Sequence, residues 1–170
     1  ALWHELRPAL HQCGVDQVAW LLIREWSGSI AARLGFSHVE DIVTLRRAGV
    51  GAPVPATTGG LYIRAMQSAD LNAITAVDHA AFHPPWQMTQ TDLAEASRIA
   101  ANATVALIDE VIIGYQMSTL YFDGAHLARL AVSPWAQGKR IGTALVEDVL
   151  HHFHRRGVQT MTVNTQDSNH

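Results

Sequence analysis

Residues 127–145 constrain the fold of this chain more than any other segment. An apolar run from Leu127 to Val132 is typical of a buried strand, and an apolar helical pattern starts at Gly142. Gly138 and Gly142 let the backbone of the intervening turn approach a ligand closely. The first N–H groups of a helix have no intrahelical acceptor, and the helix dipole adds partial positive charge there. The segment therefore predicts a strand, a turn and a helix that bind a phosphorylated anion.

The residues of this turn exclude two other phosphate-binding motifs. Lys139 is followed by Arg140 instead of the Ser or Thr of a P-loop, and the glycines lack the Gly-x-Gly-x-x-Gly spacing of a dinucleotide site. One alternative stays open, in which the segment is an ordinary strand, turn and helix with solvated basic residues.

The residues around the turn run Val132-x-Pro134-x-x-Gln137-Gly138-Lys139-x-Ile141-Gly142-x-x-Leu145. This order resembles the acyl-CoA pyrophosphate loop of the GCN5-related N-acetyltransferases, whose signature is Gln/Arg-x-x-Gly-x-Gly/Ala. The chain departs from that signature once, because Arg140 stands where the first glycine usually falls. We therefore expect the turn to adopt a conformation that a side chain tolerates.

The resemblance implies that acetyl-CoA is the acetyl donor. The backbone amide of Ala131 or Val132 would polarise the acetyl carbonyl, and the backbone of residues 137–143 would hold the pyrophosphate. Asn169 matches a family asparagine that contacts the cofactor. The cofactor-binding residues implied in this way are Leu130, Ala131, Val132, Gln137, Gly138, Lys139, Arg140, Ile141, Gly142, Thr143 and Asn169.

Acetyl transfer needs a polarised carbonyl, a neutral amine and a proton for the leaving thiolate. Protein N-terminal acetyltransferases of this family often carry Glu where this chain has His126, which could take the amine proton through water. Tyr115 and Tyr121 could line the same cleft, so His126 and Tyr121 are the predicted catalytic residues. The alternatives are a half-buried histidine on a strand face and aromatic side chains that only pack. The family's general acid is a tyrosine, and the matching position here is Ala31, which has no proton to donate.

The pattern after residue 61 predicts the element order β-α-α-β-β-β-α-β. This order resembles the front part of the acetyltransferase fold, an α/β (α+β) class with a mixed, mostly antiparallel sheet flanked by helices. The predicted strands are 62–66, 104–108, 111–121, 125–132 and 158–165, and the predicted helices are 69–82, 89–102 and 142–156.

Residues 1–47 look like the C-terminal part of a first domain of the same kind. At an offset of 143 residues, five identities in 27 aligned positions relate a helix, a Gly-Val junction and a predicted buried strand, here residues 15–23, to their counterparts at the end of the chain. Residues 30–36 resemble the family's closing segment. Residues 48–60 are rich in Gly, Pro and Thr and are the predicted linker, and residues 61–170 are the predicted second domain. Chance repetition of a common pattern is the alternative.

This division leaves the strand at 158–165 with an uncovered edge, which invites pairing. Residues 27–46, from the same chain or from a partner, could cover it. We favour a homodimer, in either an exchanged or an extended form.

Composition limits the other classes of protein. A formal charge of −3 without a Lys/Arg-rich run argues against a nucleic-acid partner, and no apolar run reaches the ~20 residues that span a bilayer. The single cysteine, Cys13, excludes an internal disulfide, and the histidines lack metal-site spacing. We therefore expect a cytoplasmic protein with no metal.

Residues 82–86, Phe-His-Pro-Pro-Trp, resemble the Phe-x-x-Pro-Trp loop of ribosomal-protein alanine acetyltransferases, which shapes the acceptor entrance. An ordinary helix break is the alternative.

The predicted function is an N-acetyltransferase that moves an acetyl group from acetyl-CoA to a primary amine of a small molecule or peptide by direct attack in a ternary complex. The alternatives are a non-catalytic CoA-binding or dimerisation module and an unrelated phosphate-binding domain.

Overall fold

The computed structural model of the protein describes residues 2–22, 27–49 and 59–169. Short 3₁₀ turns at Ser68–Asp70 and Pro134–Ala136 accompany the regular elements. The helices are α1 (Leu2–Gln12), α2 (Gly28–Arg33), α3 (Leu71–Ala81), α4 (Gln90–Ile99) and α5 (Ile141–Arg155). The strands are β1 (Ile42–Ala48), β2 (Tyr62–Ala65), β3 (Asn102–Ile108), β4 (Val111–Tyr121), β5 (Gly124–Val132) and β6 (Thr160–Gln166).

The strands form one six-stranded sheet in the order β1-β6-β5-β4-β3-β2. Every neighbouring pair is antiparallel except β5 and β6, which are parallel because α5 connects them as a crossover. The predicted fold class, a mixed and mostly antiparallel sheet flanked by helices, is confirmed.

The helices after β2 cover opposite faces of this sheet. Ile74 and Val77 of α3 pack with Tyr115 and Ala131, whereas Leu145 of α5 packs in a second cluster with Ile113, Leu130 and Val132. Neighbouring residues along a strand point to opposite faces. The alternation of Leu130, Ala131 and Val132 therefore separates an α3/α4 face from an α5 face.

A β-bulge lies where β5 leaves β6. Ser118 of β4 pairs with Leu127 and Met117 pairs with Arg129, so β5 has one extra residue at this point. The parallel pairing of β5 with β6 covers only Ala125–Leu127. Beyond it, residues 128–132 of β5 have no paired neighbour on the β6 side within the described chain, and we call this gap the opening.

Asp70 fixes the start of α3. Its carboxylate accepts hydrogen bonds from the Gln67 backbone amide at 2.7 Å and from both terminal nitrogens of Arg64 at 2.7 and 2.8 Å. The hydrogen bonds from Arg64 lower the pKa of Asp70 below its usual value. A capping box of Gln67 and Asp70 thus precedes the α-helix, which starts at Leu71 and not at residue 69.

The edge of β6 is covered by β1 of the same chain. The two strands pair antiparallel from Ile42 opposite Gln166 to Ala48 opposite Thr160. The covering strand comes from the part of the chain that was expected to supply it. Exchange of this strand between two copies stays a prediction.

Contacts divide the chain into Ala1–Asp41 and Ile42–His170. In the first unit, the Trp3 indole donates to the Leu34 carbonyl at 3.1 Å and lies against the ring of Phe36, which also contacts Trp20. The strand predicted for residues 15–23 is wrong over 15–22, which lack regular structure; Ile23 lies outside the described residues. Apolar β-branched residues make a strand only where another strand supplies hydrogen-bond partners.

Two interpretations of domain organisation stay predictions. They are the derivation of residues 1–47 and 61–170 from two tandem domains and the role of residues 48–60 as a linker. Of that segment, residues 50–58 lie outside the described residues, and Ala48 ends β1.

Candidate functional site

The turn before α5 presents a row of backbone amides. Helix α5 starts at Ile141, and its first hydrogen bond runs from the Ala144 amide to the Arg140 carbonyl at 3.0 Å. Within the described chain, none of the amides from Gly138 to Thr143 donates to another protein group. Six consecutive donors at the positive end of a 15-residue helix make this turn suited to an anion. We call residues 137–143 the binding turn.

Arg140 adopts a left-handed conformation, with φ 63° and ψ 16°. From the sequence we expect a conformation that a side chain tolerates at this position. The turn instead keeps the conformation that glycine favours, and an L-residue adopts it at a cost of about 1–2 kcal/mol. Gly138 also has a positive φ, of 73°, so the turn uses this region twice.

The side chains of the turn leave its amides accessible. Gln137 Nε2 donates to the Val132 carbonyl at 3.1 Å, so this side chain ties the turn to the end of β5. The Lys139 ammonium lies 5.5 Å from the centre of the Trp135 ring. An open groove of about 440 Å³ lies against this surface. It is lined by Leu130, Val132, Gln137, Gly138, Arg140, Ile141, Gly142 and Thr143.

The hydrogen-bond pattern of β5 separates its amides into two sets. The Ser133 amide donates to the Ile113 carbonyl of β4 at 2.8 Å. Hydrogen-bonded and non-bonded pairs alternate along an antiparallel ladder, so the Ala131 amide, opposite Tyr115, also faces β4. The amides of Leu130 and Val132 face the opening. Of the two amides expected to polarise a carbonyl there, only that of Val132 is directed toward it.

The predicted catalytic residues lie away from the binding turn. Tyr121 is 60% exposed and pairs with Gly124 at the hairpin end of β4. Val132 pairs with Gly114 at the other end, seven residues or roughly 24 Å along the strand. Tyr121 is therefore not brought to the turn.

His126 lies where β5 and β6 are still paired, and its Nδ1 is 2.8 Å from the Thr162 hydroxyl oxygen. Its side chain is on the face opposite Leu127, which packs on the α5 side with Val149 and Phe153. His126 thus lies beside the start of the opening on the α3/α4 face.

Two other residues of the sequence prediction are also located. Asn169 Nδ2 donates to the Thr165 hydroxyl at 2.9 Å, just beyond the end of β6. Ala31 is buried in α2, within the unit Ala1–Asp41.

A buried charged group on the α3/α4 face was missed by the sequence analysis. Asp78 is 0% exposed, and its Oδ2 accepts from the Tyr115 hydroxyl and from Arg129 Nε at 2.8 Å. Burial, together with the hydrogen bond to Asp78, raises the pKa of Tyr115 well above its usual value. Tyr115 therefore packs in the core instead of lining a cleft. We call Asp78, Tyr115 and Arg129 the Asp78 cluster.

One signal in the sequence pointed to this cluster. Asp78 follows Val77 and lies four residues after Ile74 in the apolar stripe of α3, and Arg129 interrupts the apolar run of β5. Buried charges are found paired, so two opposite charges at core positions indicate a contact.

Among residues 2–22, 27–49 and 59–169, no group of three or more His, Cys, Asp or Glu side chains is placed to hold a metal ion. No helix in those same ranges is both long enough and apolar enough to cross a bilayer.

Comparison with known proteins agrees with this fold. The family model described as "Acetyltransferase (GNAT) family" matches residues 71–170, more than half of the chain. The protein therefore belongs to the GNAT acetyltransferase family, whose members carry out acyl-CoA-dependent acetyl transfer.

Three individual proteins show the extent of the similarity. An uncharacterized N-acetyltransferase of Methanocaldococcus jannaschii is 30% identical over 93 residues, which are 55% of this chain and 59% of that protein. A GCN5-related N-acetyltransferase from Sphaerobacter thermophilus superposes with a TM-score of 0.67 at 18% identity, over 84% of this chain and 48% of the other. A GNAT acetyltransferase from Brucella melitensis in complex with acetyl-CoA has a TM-score of 0.53 at 23% identity, over 61% of this chain and 74% of the other. The chain thus spans about half to three fifths of the length of the first two proteins. The two structures show similarity of fold alone.

Proposed function

We propose that the protein transfers an acetyl group from acetyl-CoA to a primary amine by direct attack in a ternary complex. The observation that carries this proposal is the row of backbone amides from Gly138 to Thr143, which donate no hydrogen bond to another group of the described chain. The chain that carries this row belongs to the GNAT family. The acceptor is an amine of a small molecule or a peptide.

The binding turn holds the diphosphate through its backbone, with Arg140 adding a charge at the groove. The amides of Leu130 and Val132 hold the acyl arm in the opening, and one of them donates to the thioester carbonyl. A fixed donor aimed at the developing oxyanion lowers the barrier because it needs no reorganisation during the reaction. We assign this donor to Leu130 or Val132 and not to Ala131, whose amide faces β4.

His126 is the group that we propose takes the amine proton, through water, with Thr162 orienting its ring. Tyr121 has no role in this proposal because it lies two residues beyond Thr119, the partner of His126, toward the hairpin and farther from the opening. Since Ala31 carries no hydroxyl, the leaving thiolate takes its proton from water. Asn169 is retained as a proposed cofactor contact beside the end of β6.

The test combines binding with turnover. Acetyl-CoA at millimolar concentration is expected to raise the melting temperature, since a ligand at about 100 times its Kd adds roughly 2.7 kcal/mol. Thiol release is then measured with a peptide N-terminus, a lysine peptide and spermidine as acceptors. A protein that shows no thermal shift with acetyl-CoA, while nucleotides do shift it, would contradict the proposal.

A non-catalytic CoA-binding or dimerisation module is the second candidate. The lack of a hydroxyl at Ala31 and the distance of Tyr121 from the binding turn favour it. Binding of acetyl-CoA without thiol release for any amine, in the full-length protein, would select it. The homodimer and the cytoplasmic location stay predictions, and light scattering tests the first of them.

Replacing Arg140 with Gly is expected to weaken acetyl-CoA binding without lowering the stability of the free protein. Gly relieves the left-handed strain of about 1–2 kcal/mol but adds roughly 0.5–1 kcal/mol of unfolded-state entropy, so the stability of the free protein stays equal or rises slightly. Loss of a charge-assisted hydrogen bond from Arg140 is expected to weaken the binding of acetyl-CoA about tenfold or more. Urea unfolding and isothermal titration measure the two effects, and Arg140→Lys is the control that keeps the charge. Tighter binding by Arg140→Gly would exclude a contact from this side chain.

A further inference from the structure

The loop between α3 and α4, residues 82–88, is connected to the sheet through a buried carboxylate. Asp78 Oδ1 accepts from the Met88 backbone amide at 2.9 Å, while Oδ2 accepts from Arg129 Nε at 2.8 Å and from Nη2 at 2.5 Å. Both oxygens of a fully buried carboxylate are thus used, one for the loop and one for β5. We call residues 82–88 the entrance loop, after the motif that they resemble.

Arg129 also contacts the entrance loop directly. Its Nη2 donates to the Trp86 carbonyl at 2.7 Å, and its guanidinium carbon lies 3.7 Å from the centre of the Phe82 ring. The Arg129 side chain is only 15% exposed. One guanidinium therefore binds the carboxylate, a loop carbonyl and an aromatic face together, which the planar Arg fork allows and a Lys ammonium does not.

The other polar contacts of the loop stay within the loop or on α3. Gln87 Nε2 donates to the carbonyls of His79 and Phe82, and His79 Nε2 lies 2.9 Å from the Met88 carbonyl. Within the described chain, the polar contacts that reach from this loop to the sheet are those of Arg129. The position of the loop relative to β5 therefore depends on this residue.

The β-bulge places Arg129 at the start of the opening. Leu127 and Leu130 both pack toward α5, which regular alternation over three residues would not allow. The extra residue turns Arg129 to the α3/α4 face. Arg129 also immediately precedes Leu130, whose amide faces the opening. The irregularity that separates β5 from β6 is thus the same one that directs Arg129 to the loop.

We propose that Arg129 is a positioning residue that holds the entrance loop beside the opening, where the amine acceptor approaches. Its loss raises the KM for the amine and leaves the affinity for acetyl-CoA unchanged, because the binding turn lies on the α5 side of the sheet. This inference rests on the proposed function for its acceptor, and its structural part is measured independently.

The test compares Arg129→Lys with Tyr115→Phe. The Lys variant keeps the charge beside Asp78 but loses the bidentate contact and the bond to the Trp86 carbonyl. The Phe variant removes a hydrogen bond to the same carboxylate and leaves the loop contacts in place. Hydrogen–deuterium exchange reports the loop amides, isothermal titration reports acetyl-CoA binding, and thiol release reports amine kinetics. Phe82→Leu removes only the ring under the guanidinium and serves if Arg129→Lys does not fold.

In Arg129→Lys we expect amide exchange in residues 86–88, which follow the two prolines of the loop, and the amine KM each to rise about tenfold, with the acetyl-CoA Kd within about twofold. Tyr115→Phe is expected to match the wild type in all three, and Phe82→Leu to change loop exchange and KM in the same direction by about threefold. Unchanged loop exchange in both Arg129→Lys and Phe82→Leu overturns the inference, as does faster exchange with an unchanged amine KM. Absence of thiol release by the wild type with every amine overturns the proposed function instead, and the exchange data still decide whether Arg129 holds the loop.

Discussion

Gly142→Asp is expected to abolish acetyl-CoA binding without destabilising the protein. Gly142 lies in the first turn of α5 and lines the groove. A carboxylate there would compete for the same amides and repel the diphosphate, and juxtaposed like charges cost several kcal/mol, or more than about 100-fold in Kd. The same carboxylate interacts favourably with the helix dipole, by about 0.3–1 kcal/mol. Isothermal titration should therefore show a loss of acetyl-CoA affinity, while urea unfolding should show an equal or slightly higher free energy of unfolding.

Gly142→Ala is the matched control. A Cβ at this position would meet Val132 Cγ2 at 3.7 Å, an ordinary van der Waals contact, so the methyl group fits the free protein. We expect this variant to keep a measurable acetyl-CoA thermal shift. If Gly142→Asp binds acetyl-CoA as the wild type does, the diphosphate does not lie on these amides and the proposed site is wrong.

Replacing Asp78 with Asn is expected to destabilise the protein by about 3–5 kcal/mol, because it leaves the guanidinium of Arg129 buried without its counter-ion. The substitution preserves the shape of the side chain, so the loss reports the charge and not a cavity. Equilibrium unfolding in urea, monitored by far-UV circular dichroism, measures the change in the free energy of unfolding.

The double variant Asp78→Asn, Arg129→Met separates two explanations of that loss. If the cost comes from an unpaired charge, the double variant loses less than the sum of the two single variants, because Met fills the space without charge. Glu95→Gln serves as the surface control, since its partner Arg98 and Glu95 itself are both exposed, and no measurable change is expected. Equal losses for Glu95→Gln and Asp78→Asn would contradict a buried pair.

Local patterns were sufficient to predict most elements of residues 61–170. The capping box of Thr89 and Asp92, the turn at Asp123 and Gly124, and the apolar periodicity of α5 are each encoded within a few residues. The binding turn was predicted for the same reason, because a helix start with glycines is a local feature. The failed strand at residues 15–22 is the converse, since its apolar residues would need a partner strand that short-range sequence does not specify.

The position of the catalytic candidates could not be predicted in the same way. Tyr121 and His126 both lie near the hairpin, because His126 pairs with Thr119, and the register of β4 and β5 places that end of the ladder away from the binding turn. One bulge residue also changes which face each later side chain of β5 occupies, and no residue type marks that bulge in the sequence.

The sequence by itself determined the class of fold, the turn and helix start at residues 137–143 and the family to which the chain is similar, because these depend on periodicity and on residues close along the chain. The tertiary structure alone decided which amides of β5 face the opening, that β1 covers the edge of β6, and that Asp78 meets Arg129 across 51 residues. Those outcomes depend on strand register and on burial. Both are fixed only when segments that are distant in the sequence pack against one another and exclude water between them.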